Sequence, residues 1–593
     1  MNGGAPLLKI LKYLSNKEWG LVITSLVLII LQVWLDLSLP ERMGQITRLV
    51  QTPGTAMSEI ISAGRAMLLI TLGSVVMAVV VAGLAARISS SLAARLRANI
   101  YNRVQSFSTK EVNDFTVSSL ITRSTNDVAQ VQGLMMVGLQ ILARSPILAV
   151  WATIKIMDMS WQWSAATGLA VAALVIISTL FIGLAIPKFR LLQEQTDDLN
   201  RVSREQLTGI RVVRAYNAEA FQEAKFARSN RALARTNLHT NRLMAYLWPC
   251  IELLMNGLTL SAFWIGAVLI AATVGAQRLA LFSDMMAFSF YSIQLLVAFM
   301  LLVMIFMMLP RASVAAKRIN EVLETEPTIL DGKLIGAHGA KIGEVEFRDV
   351  SFKYPDAEDY VLKDISFKAH KGETVAFIGA TGCGKSTIVN LIPRFFDVTA
   401  GAILVADVNV KDYMQASLRD KIGYVGQKAI LLSGTISSNV AFGANGNDEI
   451  KREDIVSAVA AAQATEFVES MASGYDSDVA PGGSTFSGGQ KQRISIARAM
   501  AKKPEILIFD DSFSALDYKT DRMLRSELKK AAVGTTIFIV GQRIGTVKEA
   551  DKIIVLEEGR IAGIGTHHEL LQNCPVYQEI AYSQLSREEL AGD

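Results

Sequence analysis

The sequence predicts an α-helical transmembrane domain of six spans followed by an α/β domain built on a phosphate-binding loop. Three observations lead there. Hydrophobic residues make up 51% of the 593 residues, above the ordinary range of soluble chains. That excess is concentrated in long apolar runs before about Val345, and the remainder has the mixed composition of a soluble α/β domain. Within the second half a short apolar strand leads into a glycine-rich stretch closing on Lys385-Ser386-Thr387. A chain of this length exceeds one core, so the reading is a membrane domain over 1–325, a linker over 326–344 and a second domain over 345–593.

A helix rising about 1.5 Å per residue crosses the hydrocarbon layer with about 20 apolar residues. Six stretches qualify, near residues 20–39, 61–86, 134–157, 161–186, 245–274 and 280–309. The first follows Lys9, Lys12 and Lys17, is too long for a signal peptide and has no small-residue cleavage pattern, so it is expected to remain as an anchor. Residues 87–133 carry six Lys/Arg and residues 187–244 carry eleven, against Arg42, Arg48 and Arg278 in the other connections. Positive connections favour the cytoplasmic side, which places both termini and the second domain there, in a plasma or inner membrane. Both long connections are helix-rich, so spans two to five are expected to continue as helices into the cytoplasm.

Glu252 on span five and Arg144 on span three stand out as ionisable residues within the spans. A charge in hydrocarbon faces a cavity or a partner. Both are therefore candidate substrate contacts, the alternatives being that Arg144 snorkels beside Pro146 and that Glu252 pairs with another helix.

The second half carries the chemistry. Val375-Ala-Phe-Ile-Gly379 opens into Gly379-Ala-Thr381-Gly382-Cys383-Gly384-Lys385-Ser386-Thr387, the pattern G-x-x-x-x-G-K-[ST]. Its glycines let backbone N–H groups wrap a phosphate, Lys385 adds a point charge and the Ser386 hydroxyl is a ligand for Mg2+. About 120 residues on, Glu505-Ile-Leu-Ile-Phe-Asp510-Asp511 reads as a buried strand ending in two carboxylates, where α/β sheets hold ligands. Asp510 is the expected metal-side residue. Ser487-Gly488-Gly489-Gln490 opens a helical run and presents backbone donors suited to an anion, or serves as an ordinary N-cap. Cys250, Cys383 and Cys574 have no metal or disulfide spacing, and a net charge of +4 implies no nucleic-acid partner.

In order, the phosphate loop, Gln427 after Tyr424-Val-Gly, Ser487-Gly-Gly-Gln490, the strand ending Asp510-Asp511 and Ser514-Ala-Leu-Asp517 resemble the ATPase of ABC transporters over residues 345–580. The six spans, with segments 119–127 and 208–219, are similar to the exporter-type half-transporters of that family. The resemblance implies an ATP-binding cassette that takes ATP and Mg2+, with Tyr354 stacking on adenine, Gln427 sensing Mg2+ and Asp517 touching a partner chain. Segment 119–127 would lie near a coupling helix. The implied activity is ATP hydrolysis coupled to transport of hydrophobic or amphiphilic molecules.

Two catalytic positions depart from the family. Where it has a glutamate that polarises water, this chain has Asp511, one methylene shorter, and misplacement of about 1 Å costs about 10²-fold in rate. Where it has a histidine, this chain has Gln542, which hydrogen-bonds but cannot become a cation. Because family ATPases close as head-to-tail pairs, the signature at Ser487, Gly488, Gly489 and Gln490 would complete a partner's site. The chain thus resembles the degenerate-site subunit of bacterial heterodimeric multidrug exporters. The alternatives are a slow homodimer, in which Asp511 suffices, and an ATP-gated channel. Substrate identity is open, with Glu252 favouring amphiphilic cations.

Overall fold

The computed structural model describes residues 6–52, 54–274, 276–336, 341–444 and 450–585; residues 337–340 of the linker and both ends of the chain lie outside them. The chain divides into two compact units, one of Met1–Gln105 with Val117–Thr325, the other of Ser106–Thr116 with Glu326–Asp593.

Among the described residues of the first unit, six helices are long and apolar enough to cross a membrane: Asn16–Gln51, Met57–Gln105, Val117–Met157, Trp161–Thr208, Glu219–Ala271 and Gln277–Glu324. Span one packs on span two, span four on span five, and span six on span three. The core between them includes Val33, Leu148, Trp163, Leu258 and Phe288, with the Trp163 and Phe288 rings stacked at 5.2 Å. Prolines 40, 146, 187, 249 and 310 lie inside these helices, where neighbouring helices and side chains can satisfy the freed backbone groups.

The extensions beyond the apolar windows are helical in spans two to five. Span six also continues, to Glu324, although its apolar window ends near 309. Ala312, Ala315, Ala316, Ile319, Val322 and Leu323 are buried along it, at the 3-to-4-residue spacing of one helix face. That periodicity was present in the sequence and outlasts the hydropathy signal. Span three is preceded by the short helix Thr109–Phe115, which belongs to the second unit, and carries a π-helical turn at Arg123–Asp127. There Arg123 donates to Arg318 O at 2.6 Å and to Glu321 at 2.8 Å, closing the turn against span six.

The second unit contains β1 (Val345–Phe352), β2 (Leu362–Ala369), β3 (Thr374–Gly379), β4 (Ala400–Val405), β5 (Val408–Asn409), β6 (Ile422–Val425), β7 (Gly434–Thr435), β8 (Asp478–Val479), β9 (Ile506–Asp510), β10 (Thr536–Val540), β11 (Lys552–Glu557) and β12 (Arg560–Gly565). The main sheet has the order β12-β11-β3-β10-β9-β6, parallel except for β12. A smaller antiparallel sheet has the order β2-β1-β4-β5. β9 and β10 are buried throughout, which is why they read as continuous apolar runs rather than alternating ones.

Candidate functional site

The site forms at the carboxyl ends of β3, β9 and β10, where an open parallel sheet leaves a crevice. The crossover places β10 between β3 and β9, with Val540 paired to both Phe377 and Asp510. Residues far apart in sequence therefore finish their strands side by side.

The phosphate loop leaves β3 at Gly379, whose φ is +155°; a Cβ there would meet Leu556 O at 2.2 Å. Gly384, at φ +101°, starts the helix Lys385–Leu391, and a Cβ would fall 2.6 Å from Leu362. Both positions need glycine for conformation and for space. Thr381 and Gly382 form the exposed crest of the loop, while Cys383, Gly384 and Lys385 are buried. Lys385 Nζ donates to Gly379 O at 2.8 Å and Ala380 O at 2.7 Å. Its charge is folded back onto the loop's own carbonyls.

The Ser386 hydroxyl donates to Asp510 Oδ1 at 2.6 Å. Burial pushes the Asp510 carboxyl above the usual carboxylate range, with the adjacent Asp511 adding to it and Ser386 and Lys385 opposing. Asp511 is buried and sits at φ +49°, a left-handed conformation that aspartate tolerates better than most residues. Its Oδ2 accepts from Gln542 Nε2 at 2.8 Å and from Gln427 Nε2 at 3.2 Å. The backbone carbonyl of Gln542 in turn accepts from Gln584 Nε2 at 2.8 Å.

Tyr354 lies beside the loop, with its hydroxyl 3.1 Å from Thr387 Oγ1. Its ring meets Phe352 and Phe396 edge-on at 5.0 and 5.2 Å, so those two rings position it. Ser487 and Gln490 form a reciprocal capping box on the helix Gly488–Ala501: Ser487 N donates to Gln490 Oε1 at 2.9 Å and Gln490 N to Ser487 Oγ at 3.3 Å. Ser487 and Gly488 are exposed. Among the described residues no hydrogen bond links these four residues to the phosphate loop. Asp517 caps the next helix, accepting from Thr520 N at 2.9 Å.

The donor set fits a magnesium nucleoside triphosphate. The loop can approach phosphate oxygens closely only because Gly379 and Gly384 lack a Cβ, Lys385 already coordinates oxygens with its ammonium, and Ser386 with Asp510 is a hydroxyl–carboxylate pair of the kind Mg2+ takes beside phosphate. Gln427 enters the same cluster through Asp511.

In the membrane unit the two sequence candidates separate. Arg144 donates to Asp36 Oδ2 at 2.8 Å, and Asp36 also accepts from Ser74. Glu252 is exposed and makes no hydrogen bond or ion pair among the described residues. Sequence reading passed over Asp36, Lys155 and Asp284, all within its spans. Lys155 pairs with Glu41 and Asp284 with Arg48. Counting every ionisable residue in the apolar windows would have found the first three.

Fold and site together define a class: a polytopic helical membrane domain joined to a P-loop nucleotide-binding domain. Family comparison agrees, matching the ABC transporter transmembrane region over residues 22–309 and the ABC transporter family over residues 362–514. An uncharacterized ABC transporter ATP-binding protein of Mycobacterium tuberculosis is 37% identical over 528 residues, covering 88% of this chain and 89% of the relative. An ATP-dependent lipid A-core flippase of Pseudomonas savastanoi is 31% identical, with 84% and 81% covered. The chain belongs to the ABC transporter family. Its fold matches that of a bacterial Atm1-family ABC exporter solved with ATP bound, at a TM-score of 0.77 and 24% identity over 94% of this chain and 98% of the other.

Proposed function

We infer that this chain is the degenerate-site subunit of a heterodimeric exporter, moving hydrophobic or amphiphilic molecules across the plasma or inner membrane with its termini and ATPase in the cytoplasm. The observation that carries the reading is Asp511: a shortened carboxylate whose Oδ2 already accepts two amide hydrogens. A general base must reach the proton it removes, and neither amide can take that proton up.

Bound MgATP would supply the phosphoanhydride whose cleavage resets the cycle. Gly379 to Thr387 bind and orient phosphate, Ser386 and Asp510 hold the metal side, and Tyr354 offers a positioned aromatic ring for the base. Ser487 and Gly488 are exposed and Gly489 and Gln490 half-buried, and together the four would complete the site of a facing subunit. In this reading the chain's own site mainly binds, and turnover takes place at the site built on a partner's glutamate and histidine. Closure does work on the spans to the extent that nucleotide favours the closed state.

For cargo, Glu252 is the supported contact. It shares an exposed face with Trp248 and Asn256, four residues to either side, and lacks the internal cation that Asp36, Glu41 and Asp284 each have. A carboxylate beside a tryptophan suits an amphiphilic cation. The lipid flippase relative supports an amphiphilic cargo more generally.

The test is Mg-ATPase activity in lipid of this chain alone and co-expressed with a second half-transporter that carries the glutamate and histidine. Activity confined to the pair supports the reading. Brisk turnover by the chain alone would replace it with a homodimeric exporter.

A further inference from the structure

The segment that carries Gln542 is held by a residue remote from it in sequence. Before it, Gly541 N donates to Phe377 O at 3.1 Å and so stays with β3. After it, Arg543 is the N-cap of the short helix Ile544–Val547, and its side chain makes no capping hydrogen bond. Gln542 and Arg543 are both exposed, so burial does not fix them. The first backbone N–H groups of a helix need partners from elsewhere, and here the partner is Gln584. Its Oε1 accepts from Ile544 N at 2.8 Å while its Nε2 donates to Gln542 O at 2.8 Å.

Gln584 ends the helix Pro575–Gln584. Tyr577 and Ala581 are buried in the core of the second unit, and Gln584 follows them at i+7 and i+3, on the same helix face. The Tyr577 hydroxyl is hydrogen-bonded to His567 Nδ1 at 2.6 Å, which ties this helix to the preceding one, His567–Asn573. Gln584 is thus presented from a fixed base. A backbone N–H needs an acceptor and a backbone carbonyl a donor, so a carboxamide satisfies both where a carboxylate or an ammonium satisfies one. One side chain therefore spans both ends of the segment from Gln542 to Ile544 and sets the direction in which Gln542 leaves the backbone.

The crevice shows what that direction serves. Ser386 and Asp510 mark the metal side, the loop wraps the inner phosphates, and Gln542 Nε2 meets Asp511, the carboxylate beside which the terminal phosphate and its attacking water would lie. Among the described residues Gln542 Nε2 bonds Asp511 alone, which leaves its second hydrogen for a phosphate oxygen. We propose that Gln584 is a positioning residue for recognition of the terminal phosphate, acting through the backbone of Gln542. This rests on reading the crevice as a nucleoside triphosphate site, and not on how two subunits divide turnover or on the cargo.

Binding of MgADP and of the slowly hydrolysed Mg-AMP-PNP to the full chain in lipid nanodiscs tests it, because the terminal phosphate is what chiefly separates the two nucleotides. Gln584→Met keeps the length of the side chain and removes both hydrogen bonds. It should weaken Mg-AMP-PNP binding about fivefold, the worth of one neutral hydrogen bond, and leave MgADP binding unchanged. Gln542→Ala should produce the same loss, and adding Gln584→Met to it should produce no further one. Equal weakening of both nucleotides by Gln584→Met would overturn the proposal in favour of a general support of the fold, and weakening of neither would overturn it outright. If Gln542→Ala left the preference for the triphosphate intact, the placement of Gln542 at the terminal phosphate would fall, and the proposal with it. If Gln542→Ala alone reduced that preference, the role of Gln584 would fall by itself.

Discussion

The Gln542 side-chain amide donates to Asp511 Oδ2 at 2.8 Å, and Gln427 donates to the same oxygen at 3.2 Å. An oxygen that already accepts two amide hydrogens has little lone-pair capacity left to meet the proton of an attacking water. The two departures from the family pattern are therefore in contact, and substitutions at them should not act independently.

Replacing both restores the missing groups. The D511E/Q542H variant of the chain alone should raise Mg-dependent ATP turnover by about 10²-fold, with each single variant giving less than half of that gain in logarithmic terms. Asp511 lies at φ +49°, so Asp511→Glu should also cost up to about 1 kcal/mol of stability. Steady-state turnover and thermal unfolding of the four proteins check both statements.

Asp510 behaves differently because burial raises its pKa. The folded state then holds the proton more tightly than the unfolded chain does, so this group's contribution to stability is greatest in acid and is lost as pH rises through the raised value. Asp510→Asn should leave the unfolding temperature near neutral pH unchanged or higher while abolishing Mg2+-dependent nucleotide binding. In the native chain, Mg2+ affinity should begin to fall on acidification at a higher pH than an ordinary carboxylate would give. Calorimetric Mg-nucleotide titrations across pH would show otherwise if the midpoint stayed near that of a free aspartate.

Within the spans, Arg144→Leu leaves Asp36 without its cation. The expected loss is about 2 kcal/mol, below that of a fully buried pair because the Arg144 side chain is 39% exposed. Adding Asp36→Leu should recover most of it. Unfolding of the single and double variants in detergent provides the cycle, and an additive double variant would mean that the pair is not coupled.

Glu252→Gln keeps shape and removes charge. If the exposed carboxylate receives a cationic cargo, stimulation of the ATPase by amphiphilic cations should require about tenfold more ligand, in line with the loss of one charge-assisted contact, while basal turnover stays the same. Equal sensitivity in both proteins would remove Glu252 from the cargo path.

The sequence by itself determined the two-part organisation, the six spans and the phosphate-binding elements, because each is written locally. An apolar run long enough to cross hydrocarbon, or a glycine loop between a strand and a helix, needs no distant residue to be recognised. The tertiary structure decided the rest. Asp36 lies 108 positions from Arg144, and only helix packing reveals that this candidate cargo contact already has a partner while Glu252 has none among the described residues. The convergence of Gln427 and Gln542 on Asp511 depends on β9 lying between β6 and β10. Ser106–Thr116 belongs to the second unit, and within it the Glu111 carboxylate accepts from Thr328 N at 3.2 Å. Such pairings join residues far apart in sequence, and what selects them is the need to satisfy buried polar groups, a condition that exists only once the chain has packed.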